Sequence, residues 1–488
     1  MSLVQPVDNL AMLPAYLAAG TAVLVLLFDL LVARPAVTVA VAALGAAGTA
    51  AGAALVGAAG ERRTFCVGAD CSWVWGGRAA LVGAVIALLT LGVLALSGPL
   101  LRAGRTPVGE YCFLLACAMT GGVVLGAAGD LITLIVALET LTLPLYVLVG
   151  LRRGSLAGAE AAVTFFVVSV VATTVTLLGA ALLYAVAGTL HLDRLGATLA
   201  ARDDLTDLPL TGVAVALVVA GLAFKVAAVP FHAWAPATYD GAPLPVAAYL
   251  STASKLGGVV ALLAVVQRAL PGEMTGPVLA ALAVLTMTVG NLVAVRQRRT
   301  VRLLAWSSVA QAGYILAPLG ALALTAGRTG DARAAAYAAA VAYAIFFVLL
   351  ELAAFAAVVA LRPADGDGGT LADLRGAARR HPWVGGAFAL ALIGLAGLPP
   401  GLAGLFAKVT VVRALLAGHA GWLALVVALN AVIGLAYYLR VTASLYATPT
   451  GVGTVRPART VVLALGVATA VAVVIGFAPQ LVLDVAAR

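Results

Sequence analysis

Apolar runs, each long enough for a membrane crossing, follow one another along almost the whole 488-residue chain and are parted only by short polar stretches. A helix needs about 20 apolar residues to cross the hydrocarbon of a bilayer. The runs predict helices at roughly 10–33, 36–58, 79–101, 111–128, 130–150, 158–187, 210–231, 243–266, 277–295, 302–324, 335–361, 384–412, 421–446 and 460–484. The fold class expected is therefore all-α, a polytopic membrane protein of about 14 spans. No stretch of 50 residues or more is left between spans for a soluble domain. The first run, from Leu10 to Val32, is too long and too poor in preceding basic residues for a cleavable signal.

Composition supports the same class. Hydrophobic residues make up 63% and charged residues 10%, and the mean hydropathy is +1.11. Soluble domains run near 45–50% apolar and about 25% charged. The net charge of +9 sits in short loop clusters, such as Arg152-Arg153 and Arg296, Arg298, Arg299 and Arg302, with no basic domain and no aromatic interleaving. That pattern reads as topology and lipid headgroup contact, not nucleic acid. Loops after odd-numbered spans hold sixteen arginines and loops after even-numbered spans nine. The positive-inside rule then places the odd loops in the cytoplasm and both termini outside. Of the four cysteines, Cys112 and Cys117 fall inside a span, whereas Cys66 and Cys71 share one loop that faces outward on this reading. Their pairing is left open. No Cys/His grouping has the spacing of a metal or iron–sulfur site.

Two spans carry breaks. The seventh ends in Val229-Pro230-Phe231-His232, and the twelfth contains Gly397-Leu398-Pro399-Pro400-Gly401. Proline removes a backbone donor, and irregular backbone at membrane depth is tolerated only where it is buried or lines a wet cavity. An ordinary kink explains one such break. Two at corresponding places point to inverted repeats.

Charge inside the spans sharpens the picture. All three lysines, Lys225, Lys255 and Lys408, lie in apolar segments, while every loop cation is arginine. Lysine exchanges a proton when its surroundings change; arginine does not. Glu139, in LIVALETLTLPLYVL, sits about 13 Å into its span at 1.5 Å per residue. A carboxylate at that depth is costly unless it is paired, and a lysine is the natural partner. A structural ion pair without transport is the bland alternative. Asp29 near a helix end reads as a packing or anchor residue, and Glu351 as either a relay member or a helix–helix contact. Thr173, Thr174, Thr176, Ser251, Thr252, Ser254, Asn291, Ser307, Ser308, Gln311, Tyr314 and Asn430 supply polar groups within spans, each more often an interhelical hydrogen bond than a relay element.

The run from Gly221 to Lys255, GLAFKVAAVPFHAWAPATYDGAPLPVAAYLSTASK, resembles the signature of the proton-pumping antiporter-like subunits of respiratory complex I. So do LETLTLPLYVLVG around Glu139, the Gly290–Leu316 segment and AGLPPGLAGLFAKV around Lys408. Tyr239-Asp240-Gly241-Ala242-Pro243 looks like the N type rather than its L or M relatives. The resemblance implies N-terminal helices in 1–110, a first repeat in 111–268, a second, inverted five-helix repeat in 269–446, and a last helix in 447–488. It implies an entry-side pair of Glu139 and Lys225, a central Lys255 and an exit-side Lys408, with His232, Gln311 and Glu351 as further candidates. It also implies a cell-membrane location and other complex I subunits as partners. NADH, FMN, iron–sulfur clusters and quinone would belong to those subunits, and none to this chain. Where many relatives carry histidine this chain has Gln311, and Glu351 occupies a place expected to be uncharged. Alternative readings are a subunit of a multi-subunit cation/proton (Mrp-type) antiporter and a non-conducting membrane scaffold.

Overall fold

The computed structural model describes residues 7–151, 155–364, 366–449 and 456–487. Arg152 and Arg153, counted above for topology, lie outside the described residues. The chain opens with α1 (Asn9–Val32) and α2 (Pro35–Ala58), then β1 (Arg62–Val67) and β2 (Asp70–Trp75), then α3 (Gly77–Arg102), α4 (Val108–Ala127), α5 (Leu131–Gly150) and α6 (Leu156–Ala187). Short helices α7 (Leu192–Ala201) and α8 (Asp203–Thr206) precede α9 (Pro209–Lys225), α10 (Trp234–Gly241), α11 (Leu244–Tyr249) and α12 (Lys255–Arg268). The second half holds α13 (Gly272–Arg296), α14 (Thr300–Leu316), α15 (Gly330–Leu361), α16 (Ala377–Arg380), α17 (Pro382–Ala396), α18 (Leu402–Ala417), α19 (Gly421–Tyr446), α20 (Arg459–Phe477) and α21 (Gln480–Ala487).

Among the described residues, eleven helical segments are long and apolar enough to cross a membrane. The breaks expected at the end of span 210–231 and within span 384–412 are present, and the span expected at 302–324 is also divided. α9 ends at Lys225, α14 tightens into a 3-10 stretch from Ala317 to Ala323, and α17 and α18 are separated at Gly397–Gly401. The loop after α2, read only as a connection, is an antiparallel hairpin whose register places Cys66 opposite Cys71, and the two cysteines are joined as a disulfide. Trp73 of the hairpin donates from Nε1 to the Ala11 carbonyl at 3.0 Å, fastening it to the start of α1. α7 lies on the same face, burying Leu192, Leu195 and Leu199, the one-sided spacing of an amphipathic surface helix.

Burial separates peripheral from central spans. Within the most apolar stretch of each helix, 28% of α1 is enclosed by protein, against 83% of α15 and 89% of the segment Leu244–Arg268. The central pair therefore holds Lys255 and Glu351 where lipid does not reach. At the periphery, Asp29 accepts from Thr38 Oγ1 at 3.2 Å and joins α1 to α2, an anchoring role.

At the end of α13 remote from the hairpin, the arginine cluster is partly an internal latch. Arg299 pairs with Asp240 at 2.7 Å and Asp367 at 3.0 Å, and Arg362 with Asp367 and Asp373, each at 3.3 Å. Burial alone would raise the Asp367 carboxyl, but the Arg299 hydrogen bond and the neighbouring guanidinium charges hold it below its ordinary value. A depressed carboxyl contributes stability above its unfolded value, and that contribution is lost as pH falls through the folded one. Proteolysis within 362–376 should therefore accelerate only on acidification below about pH 4. Arg299→Ala should show the same faster cleavage at neutral pH.

Candidate functional site

α5 presents Glu139, Thr142 and Tyr146 at positions i, i+3 and i+7, which share one helix face. α6 offers Ser169 and Thr173, four residues apart, to the same place. α9 ends there because Pro230 and the left-handed Ala227 (φ 58°) stop helical continuation, so Lys225 occupies its last turn. The Lys225 ammonium donates to Glu139 Oε1 at 2.6 Å and to Ser169 Oγ at 2.9 Å, with Thr142 Oγ1 at 3.4 Å. Thr173 donates to Glu139 Oε1 at 2.6 Å, and Tyr146 to Ser169 at 2.5 Å. The side chains of Lys225 and Glu139 are 6% and 19% exposed, so the ammonium is enclosed among three oxygen partners while the carboxylate keeps part of its surface open.

Lys255 begins α12 directly after a π-helical turn, Leu250–Ser254. Such turns recur at functional sites because the wider ring of backbone frees groups for other partners. Its ammonium donates to the Ser308 carbonyl at 2.7 Å and lies 5.9 Å from the Phe347 ring centre. Tyr239 fixes the turn by donating to the Leu250 carbonyl at 3.2 Å. In the Tyr-Asp-Gly-Ala-Pro run, then, one residue braces the π turn and the next, Asp240, joins the arginine latch. Glu351 is fully buried and within electrostatic reach of Lys255, Tyr239 and Tyr438. Neither carboxyl oxygen has a hydrogen-bond partner among the described residues.

Lys408 reaches back across the second break. Its ammonium donates to the carbonyls of Leu395, at 3.0 Å, and Ala396, at 2.5 Å, the orphan acceptors at the C-terminus of α17. A cation there also complements the negative end of the helix. Gly397 makes this possible. Its φ is +83°, and a Cβ at that position would sit 2.7 Å from the lysine Cδ. The ammonium lies 5.2 Å from the centre of the Tyr314 ring.

Gln311 links these parts. Its Nε2 donates to the Leu395 carbonyl at 3.1 Å, the same oxygen that Lys408 uses, and to Tyr438 at 3.0 Å. Its Oε1 accepts from Tyr343 at 2.6 Å, and Tyr438 shares a hydrogen with Ser307 at 2.5 Å. Tyr437 donates to Asn291, which in turn donates to Tyr314 and to the Asn430 carbonyl. The expectation that glutamine leaves this region to water is thus modified: the amide is a fixed connector between tyrosines and the Lys408 cradle.

Other candidates fall away from the cluster. Thr174, Thr176, Ser251 and Thr252 bond to carbonyls of their own helical segment. His232 lies in the first break with its ring tilted 5.1 Å from Trp306, and its buried Nδ1 has no hydrogen-bond partner among the described residues. Thr142, Tyr146, Ser169, Tyr343 and Tyr438 were not singled out from the sequence. Helical spacing from Glu139 was signal enough for the first two; nothing local marked the others.

Similarity to known proteins follows the same residues. Positions 128–434, more than half the chain, match the family described as NADH:quinone oxidoreductase/Mrp antiporter, TM. A NADH-quinone oxidoreductase subunit N from Salinispora tropica is 77% identical, with both chains covered in full. The chain belongs to the subunit N family of NADH-quinone oxidoreductase. Its structure resembles a chain of respiratory complex I from Thermus thermophilus with a TM-score of 0.81 at 30% identity, covering 97% of this chain and 99% of the other. A chain of the Mrp complex from a Dietzia species is similar in fold alone, with a TM-score of 0.81 at 22% identity over 97% and 96% of the two chains. This protein is accordingly a polytopic membrane subunit of a multi-subunit NADH-quinone oxidoreductase, and its partners are the other subunits of that complex.

Proposed function

We propose that this subunit conducts protons through a buried row of Glu139, Lys225, Lys255 and Lys408, driven by quinone reduction elsewhere in the complex. On this reading NADH, FMN, iron–sulfur clusters and quinone are bound by partner subunits, both termini lie outside the cytoplasm, and residues 111–268 and 269–446 form two inverted repeats. The observation that carries the reading is the Lys225–Glu139 pair at 2.6 Å, set at a helix break and ringed by the hydroxyls of Ser169, Thr173 and Tyr146. A charge pair this enclosed costs desolvation free energy, and apolar residues of similar volume hold helices together as well or better. Its retention at a broken helix fits a switch: opening the pair changes each partner's hold on its proton. The hydroxyls remain as local stations. Glu351 and the Gln311–Tyr438 connection would serve the stretch between Lys255 and Lys408, and His232 is the candidate nearest the first break.

The test is proton translocation per electron in membranes with normally assembled complex. Lys225→Ala should impair pumping more than assembly, and Lys225→Arg should keep the ion pair without restoring pumping, because guanidinium does not give up its proton. Full coupled pumping in the arginine variant would leave the pair a structural contact and remove the proposal's main support.

A further inference from the structure

A cavity of about 860 Å³ opens on the hairpin face between α3, α12 and α15, and the proton row uses none of its walls. Each of the three helices lines it with a stripe that is apolar toward the membrane interior and polar at the outer end. On α3 the stripe runs from Val85 and Val82 out to Arg78; on α12, from Leu256 and Val260 out to Gln267. On α15 it runs from Ile345 and Val341 out to Tyr337, with Arg333 one turn beyond at the shared rim. From Leu256 to Gln267 is eleven residues, about 16 Å along a helix at 1.5 Å per residue. That is close to one leaflet of a hydrocarbon core about 30 Å thick.

The rim carries an excess of positive charge. Arg268 is matched by Asp193 at 2.7 Å, and Arg63 and Arg194 by Glu61 and Asp70. Arg78 and Arg333 have no carboxylate within ion-pair distance among the described residues. Both instead converge on Gln267, Arg78 donating to its Oε1 at 2.9 Å and Arg333 to its backbone carbonyl at 2.7 Å. Two guanidinium groups drawn to one residue repel each other, and an anion between them relieves that repulsion. Guanidinium also matches phosphate in geometry as well as charge.

We propose that this crevice binds one anionic phospholipid, its acyl chain between α12 and α15 and its phosphate between Arg78 and Arg333. An apolar shaft one leaflet deep, headed by arginines at the level where headgroups lie, suits that amphiphile, whereas a soluble anion would use the rim and leave the shaft empty. A zwitterionic lipid offers the same chains but carries its own cation to the rim, so the site discriminates by charge.

The test uses the assembled complex and diazirine-bearing phosphatidylglycerol or phosphatidylcholine, with crosslinked peptides mapped by mass spectrometry. Phosphatidylglycerol should label the α12 and α15 peptides at least several-fold more than phosphatidylcholine. The doubly substituted Arg78→Gln, Arg333→Gln complex should lose that preference while keeping NADH oxidation. Val260→Phe, which fills the shaft and leaves the arginines, should lower labelling by both lipids. Equal labelling by the two lipids in the unaltered complex would overturn the proposal, as would an undiminished preference in the double variant. So would absence of labelling, the result expected if water or a neighbouring subunit fills the crevice.

Discussion

Replacing Lys408 by alanine is expected to abolish most coupled proton translocation and to loosen the second helix break, whereas arginine should repair only the second defect. The lysine's capping of α17 and its proposed proton-carrying role can be separated by this pair of variants. Its ammonium satisfies the Leu395 and Ala396 carbonyls at the end of α17. Without it the Leu395 carbonyl keeps Gln311 as a donor, whereas the Ala396 carbonyl loses its partner. A buried acceptor left without a donor costs about 1–3 kcal/mol, so alanine should cost that much in local stability, read as lower thermal stability of the complex or lower assembly. Arginine restores donors and charge to that cradle, though its bulk must be accommodated beside Gly397. What it does not restore is proton release. The free guanidinium holds its proton about 3 pKa units more tightly than the free lysine ammonium, a difference of about 4 kcal/mol or a thousandfold in the deprotonated fraction. Normal stability with failed pumping in Lys408→Arg assigns the lysine a proton-carrying role. Normal stability with normal pumping leaves it as the cap of α17 and nothing more.

Glu351→Gln is expected to leave the complex assembled, at least as stable as before, and poor at proton translocation. The carboxyl is fully buried and has no hydrogen-bond partner on either oxygen among the described residues. An unpartnered polar group in such a place costs several kcal/mol if charged and less if neutral. A residue retained only for packing would therefore be improved by an uncharged side chain of the same shape, and glutamine supplies one. Against that cost stands its position within electrostatic reach of Lys255 on one side and of Tyr438, which is bonded to Gln311, on the other. On the proposed reading its carboxyl would pass a proton across a stretch where the Gln311 amide cannot. Glu351→Asp, one methylene shorter, should retain part of the pumping that glutamine loses. Unimpaired translocation per electron in Glu351→Gln would make the residue an inert buried acid and return the crossing to hydroxyl groups and water.

The class of the molecule was legible along the chain because a bilayer imposes a length rule on every span, and apolar runs of that length are visible one by one. The intramembrane charges were legible for the same reason: Glu139, Lys225, Lys255 and Lys408 stand out against an apolar background in which each must have a reason. Breaks at Pro230 and at Pro399-Pro400 announced themselves through residues that cannot continue a helix. Tertiary structure decided the rest, because it depends on which faces meet. Glu139 and Lys225 are 86 residues apart, and only the packing of α5, α6 and α9 brings them to 2.6 Å and adds Ser169 and Tyr146. Gln311 read as a gap in a titrating row; three helices converging on it make it the amide that joins Tyr343, Tyr438 and the Lys408 cradle. Loop arginines read as one class of topological charge, yet Arg299 is a latch to Asp240 and Asp367, while Arg78 and Arg333 have no carboxylate partner among the described residues. Hydropathy is a property of each segment and survives in one dimension. Pairing is a property of contacts between segments, and no single segment records it.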